Sequence, residues 1–174
     1  MAQATTKDWL DGIQKGLLKQ LTENRGALPK GFNQDRFILN SITVIRDMLR
    51  DNKKKKQLQE IDYTSIPICL AKGAFLGLDF FNGECYAIPY GGEMKFQTDY
   101  KGEIKLCKRY SKNEIKDIFA KVVREGDFFE ESVDSGVQNV VYKPLPFSNK
   151  PLVGAFAIVV FKDGSMLYDT MGKE

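Results

Sequence analysis

Between Tyr100 and Lys112 the sequence places Lys101, Lys105, Lys108, Arg109 and Lys112 at spacings that gather them on one side of a helix. At about 100° per residue, with Tyr100 set to zero, these five cations fall between roughly 80° and 180°. Leu106, Tyr110, Cys107, Tyr100 and Ile104 fill the opposite arc and are expected to bury. Glu103 interrupts that arc, and Gly102 lowers helix propensity. A solvated helix usually mixes signs on its outer face, so a one-signed stripe points to an anionic partner, with phosphate the obvious anion. Just upstream, Gly91-Gly92 is the kind of two-residue turn that closes a hairpin. Closing it there pairs Tyr90 with Glu93, Ile88 with Lys95, Tyr86 with Gln97 and Glu84 with Asp99. Alternation sends Cys85, Ala87, Pro89, Met94, Phe96 and Thr98 to a core face, and Tyr86, Ile88, Tyr90, Lys95 and Gln97 to the other. An aromatic and amide surface of that kind suits a nucleic-acid strand, since stacking a base on a ring contributes about 1–3 kcal/mol whatever the base. The alternative is that the tyrosines pack beneath another layer with only their hydroxyls at the rim.

Composition removes much else. The chain has 174 residues, no histidine, three cysteines and one tryptophan. Without histidine there is no Ser-His-Asp or Cys-His nucleophile, no HExxH zinc site and no Cys/His zinc module. Cys69, Cys85 and Cys107 are far apart and odd in number, which argues against a disulfide framework or a four-cysteine metal site and fits a reducing, cytoplasmic setting. No apolar run approaches the roughly 20 residues of a membrane span, and no secretory leader is expected. The net charge of +3 hides a pattern. Residues 93–124 carry 9 basic and 5 acidic groups, whereas residues 125–135 carry no basic and 5 acidic ones. Glu125–Asp134 reads as an exposed acidic loop, with contact to a neighbour's basic surface as the other reading.

The elements that must position these residues follow from periodicity. Trp9, Leu10, Ile13, Leu17, Leu18 and Leu21 mark an amphipathic N-terminal segment over residues 1–30, ended by Asn24-Arg25-Gly26 and Pro29. The remaining residues, 31–174, read as a single core. Ile38, Ile42, Ile45 and Leu49 define a helix from Asp35 to Leu49, and Ser65 to Leu78 reads as a buried helix with Pro67 in its first turn. Asp51 to Gln57, with four consecutive lysines, reads as a solvated loop. Later strands are expected at Ile118–Arg124, Val137–Tyr142, Leu152–Lys162 and Met166–Thr170, the last two joined by Asp163-Gly164. The fold class is α+β, an antiparallel sheet with a β-hairpin packed against several helices.

The run Cys85-Tyr86-Ala87-Ile88-Pro89-Tyr90-Gly91, followed by Phe96-Gln97 and Tyr100-Lys101-Gly102, resembles the signature of the RecT family of phage and prophage single-strand annealing recombinases. Ala71–Leu78, Arg124-Glu125-Gly126-Asp127-Phe128 and Gly154-Ala155-Phe156-Ala157 are similar to further family segments, so the resemblance runs from about Leu28 to the end. Two residues depart from it. Asp99 stands where the family usually has glycine, and Glu103 where it usually has an apolar residue, both adding negative charge near the expected groove.

The resemblance implies ATP-independent binding of single-stranded DNA, pairing of complementary strands and assembly of homo-oligomers as rings or filaments. A phage exonuclease and a host single-strand binding protein are the further partners it implies. The sequence contains no Walker A pattern, in keeping with ATP independence, and no cofactor, metal or covalent catalytic step is expected. Lys101, Lys105, Lys108 and Arg109 are the candidates for phosphates, Lys95 and Gln97 for strand positioning, and Tyr86 or Tyr90 for stacking. Arg124 and Lys143 are further candidates. The family motif itself covers Gln97, Tyr100 and Lys101. By the same resemblance the chain stops before the family's basic C-terminal region, so one alternative is a shortened member that binds DNA or partner protomers without annealing. Another is a magnesium nuclease on Glu84, Asp99 and Glu103, though the hairpin and helix give those carboxylates no clear common point of convergence.

Overall fold

The computed structural model describes residues 6–173. It separates into two compact units, one ending at Leu106 and one beginning at Cys107. The chain is α+β, with five α-helices and three small antiparallel sheets among the described residues. Among the described residues no helix is long and apolar enough to cross a membrane.

The first unit opens with α1 (Thr6–Glu23), a short 3-10 turn (Arg25–Ala27) and α2 (Gln34–Arg50). The apolar spacing of α1 brings Leu10, Ile13, Leu17 and Leu21 to one buried face, while Leu18 stays exposed. In α2, Ile38, Ile42 and Ile45 bury in the same core, and the Asn33 side chain accepts the Arg36 N–H at the helix start. The apolar face of α1 thus shares one core with the elements after residue 31, and the compact units divide near residue 106 rather than near residue 30. The lysine run lies not in a loop but in α3 (Asn52–Glu60). The Asp51 carboxylate accepts the N–H groups of Lys53 and Lys54, which starts the helix, and Leu58 anchors it in the core. The four lysines remain exposed.

Helix α4 (Ser65–Leu76) is buried on most sides through Ile66, Cys69, Leu70, Ala71 and Ala74. It stops at Gly77, whose φ of 64° is left-handed, and the Leu78 N–H turns back to the Gly73 carbonyl at 2.8 Å. Strands β1 (Cys85–Tyr90) and β2 (Glu93–Thr98) form the expected hairpin, pairing Tyr86 with Gln97, Ile88 with Lys95 and Tyr90 with Glu93. Cys85, Ala87 and Met94 bury against the helices, as the alternation requires. Burial pushes the thiols of Cys69 and Cys85 up to about 12, whereas Cys107 is exposed. Helix α5 (Tyr100–Tyr110) follows β2 and straddles the division between the units.

In the second unit β3 (Ile115–Arg124), β6 (Leu152–Phe161) and β7 (Met166–Gly172) form an antiparallel sheet in the order β3-β6-β7. Strands β4 (Phe128–Asp134) and β5 (Val137–Lys143) form a separate hairpin. Glu125–Asp134 is therefore mostly a strand and not an acidic loop. Ser135 and Gly136 both take positive φ, of 50° and 82°, and make the tight turn whose twist matches paired strands. Phe129, Val140 and Tyr142 of this hairpin pack on Val123, Phe156 and Ile158 of the sheet. The rings of Phe129, Tyr142 and Phe156 lie within 5.0–6.5 Å of one another, and the Gln138 side chain accepts the Tyr168 N–H.

Candidate nucleic-acid interface

The outer face of the β1–β2 hairpin carries Tyr86, Ile88, Tyr90, Lys95 and Gln97, all exposed. With Cys85, Ala87 and Met94 buried behind them, this face carries no second layer among the described residues. The tyrosines are thus on the surface rather than beneath another layer, with Tyr90 75% exposed at the turn. Glu93 also points to this side, and its carboxylate pairs with the Lys95 ammonium at 2.5 Å. The hairpin face is therefore close to neutral, an aromatic and amide surface whose one lysine is already matched.

Asp99 links the hairpin to α5. Its N–H donates to the Glu84 carbonyl at 3.0 Å, and its carboxylate accepts the Lys101 N–H and the Tyr86 hydroxyl at 3.1 and 3.0 Å. The first of these side-chain bonds is an N-cap for α5, and the second fixes one tyrosine of the platform. The bond to Asp99 holds the Tyr86 phenol above its ordinary pKa. Glu103 accepts a hydrogen bond from the Thr98 hydroxyl. The two acids that depart from the family pattern thus serve the start of α5, and their charge is directed at protein donors.

The expected docking side of α5 is corrected by the structure. Of the arc that the helical wheel expects to bury, Leu106 packs on the core and Ile104 is half-buried, whereas Tyr100, Cys107 and Tyr110 are exposed. The only fully buried position is Gly102, which sits against the Glu84 carbonyl and within reach of Leu78. A side chain there has no room, so the glycine of the Tyr-Lys-Gly motif is a point of close approach between backbones. The cations next to that contact divide in consequence. Lys105 is drawn in, its ammonium 2.6 Å from Glu84, whose carboxylate also accepts the Asp79 N–H at 2.8 Å. Lys101 stays exposed, its ammonium 5.9 Å from the centre of the Tyr100 ring. Further along α5, Lys108 makes a long contact of 3.8 Å with Asp117, and Arg109 stacks 5.9 Å from the Tyr110 ring. Lys112 lies beyond the end of α5.

Arg124 and Lys143 belong to the second unit. The Arg124 guanidinium donates to the Lys150 carbonyl at 2.6 Å, so part of it holds a loop. The Lys143 ammonium is 5.6 Å from the Phe128 ring and its side chain is exposed. Asp127, inside the acidic stretch, accepts the N–H groups of Leu145 and Arg124 and the Tyr142 hydroxyl. These bonds, the one from Leu145 foremost, hold its carboxyl below the usual aspartate value. A depressed folded value means that its contribution is present above the unfolded pKa and lost as pH falls through the folded one. The Leu145 amide resonance is therefore expected to shift in an acid titration with a midpoint below that of an ordinary aspartate, and Asp127→Asn should abolish the titration.

Glu84, Asp99 and Glu103 are each engaged within the protein. Each carboxylate is held by a different protein donor, and no group of three or more acidic or cysteine side chains among the described residues is placed to hold a cation. No curated protein matches the chain. The RecT family model, however, matches residues 35–174, from the first turn of α2 through the last strand, and takes in the hairpin, α5 and the whole second unit. A match over that much of the molecule places the chain in the RecT family, whose members take part in single-strand annealing during recombination.

Proposed function

We propose that this protein binds single-stranded DNA on the outer face of the β1–β2 hairpin and at Lys101 at the start of α5, and that it pairs complementary strands without nucleotide hydrolysis. The observation that carries the proposal is the uncovered tyrosine-amide face of a hairpin whose other face is buried, followed directly by Tyr100 and Lys101. Rings offer stacking that tolerates any base, and cations reduce the repulsion between two phosphate backbones. Duplex stacking contributes about 1.4 kcal/mol per base step, enough to drive pairing once the strands are brought together. The protein need only hold a first strand extended with its bases accessible. One protomer reaches few nucleotides, so a long strand requires a row of protomers, and a ring or filament is the arrangement we propose.

Mixing dye-labelled complementary oligonucleotides with and without the protein tests this reading. Pairing is expected to accelerate with no ATP present, and added ATP should change nothing. Binding of single strands with no acceleration would remove the annealing step and leave a binding protein. Absence of single-strand binding at low salt would overturn the whole reading.

A further inference from the structure

The loop from β5 to β6 presents one side chain in an unusual way. Phe147 is fully exposed, and its φ of 57° lies in the left-handed region that bulky residues avoid. It occupies the third position of a tight turn in which the Ser148 N–H returns to the Leu145 carbonyl at 3.3 Å, with Pro146 at the second position. Glycine or asparagine normally stands where Phe147 does. The ring gains no burial from this conformation, so the strain is compensated by nothing within the described residues, and such strain gathers at binding sites.

The turn is held firmly at its base. Asp127 accepts the Leu145 N–H at 2.8 Å, Arg124 donates to the Lys150 carbonyl at 2.6 Å, and the Glu125 N–H donates to the Pro151 carbonyl at 3.1 Å. Pro144, Pro146 and Pro151 stiffen the segment further. Residues 143–151 contain Lys143 and Lys150 and no acidic residue. Both lysines are exposed. At the base, Asp127 directs its carboxylate to protein donors. A fully exposed ring in a loop whose charged residues, Lys143 and Lys150, are both basic fits a nucleobase and its phosphates.

We infer that Phe147 is a base-stacking residue of a second single-stranded DNA contact, located in the second compact unit, with Lys143 and Lys150 on the adjoining phosphates. The inference rests on the single-strand binding proposed above and adds a site that the hairpin does not contain.

Binding of dye-labelled oligothymidylate by fluorescence anisotropy, for the full chain and for Phe147→Ala, Phe147→Gly and Phe147→Trp, tests it. The alanine and glycine variants are expected to bind about ten-fold more weakly, with an unchanged salt slope because no phosphate contact is lost, and the tryptophan variant should retain affinity. Phe147→Gly should also melt at a higher temperature, since glycine accepts the left-handed backbone without strain. Stability and affinity moving in opposite directions would mark a residue kept for binding. A wild-type protein that binds while Phe147→Ala binds equally well would overturn this inference alone. Loss of self-association in sedimentation at unchanged DNA affinity would also overturn it, making the ring a protein contact. Failure of the wild-type protein to bind any single strand would remove the proposed function, and this contact with it.

Discussion

Replacing Lys101, Lys108 and Arg109 together by alanine is expected to weaken single-stranded DNA binding by roughly 100-fold at about 0.1 M salt, because each phosphate contact contributes about 0.7 logarithmic units under those conditions. The plot of log affinity against log salt should become shallower by about 2 over the same series. Lys105 is left in place for a structural reason. Its ammonium is 2.6 Å from Glu84, a carboxylate only 17% exposed, so Lys105→Ala would strand a partly buried charge and disturb the turn before β1. Lys101, Lys108 and Arg109 lie on the exposed surface of α5, and circular dichroism should show the fold retained in the triple variant. A flat salt response in the unmodified protein, or an unaltered slope in the triple variant, would show that these cations do not meet phosphates.

The largest loss of stability is expected at Gly102. Within a helix, glycine to alanine normally gains about 1 kcal/mol, since alanine has less backbone freedom to lose. Here the added Cβ would collide with the Glu84 carbonyl and sit 3.1 Å from its carbon and 3.2 Å from Leu78. Neither the carbonyl nor its carbon can turn aside as the end of a flexible side chain could. Overpacking of a filled site costs typically about 1–3 kcal/mol and occasionally more, so the clash outweighs the propensity gain. A net loss of about 2 kcal/mol for Gly102→Ala corresponds to a melting temperature lower by roughly 4–8 °C in a chain of this size, with valine worse. Gly26→Ala supplies the control, because nothing lies within 4 Å of a side chain built there. An alanine variant at 102 as stable as the parent would refute the close-approach argument. DNA affinity should fall with stability, because α5 could no longer hold Tyr100 and Lys101 beside the hairpin.

The hairpin was legible in the sequence residue by residue, since Gly91-Gly92 and strict alternation leave one register that buries Cys85, Ala87 and Met94. The existence of α5 was equally plain, but its docking side was not. A helical wheel separates charged from apolar arcs and carries no information about which backbone lies alongside, and here a glycine makes the contact. The Lys105–Glu84 pair joins residues 21 positions apart and has no local signal. Two misreadings came from charge overshadowing local chemistry. Asp51 stands just before the lysine run as a helix cap, and Ser135-Gly136 stands after the acidic run as a hairpin turn, so both elements were announced by residues adjacent to the ones that drew attention. Phe147 follows a proline and otherwise looks like any loop aromatic; only its backbone conformation sets it apart.

The three cysteines have a practical consequence. Cys69 and Cys85 are sealed in the core with thiols too weakly acidic to react near neutrality, while Cys107 is exposed on α5. A maleimide reagent should therefore couple to the unaltered sequence at one position, on the helix that carries the basic residues. A fluorophore placed there would report strand arrival in real time, with no cysteine removed and no core side chain disturbed.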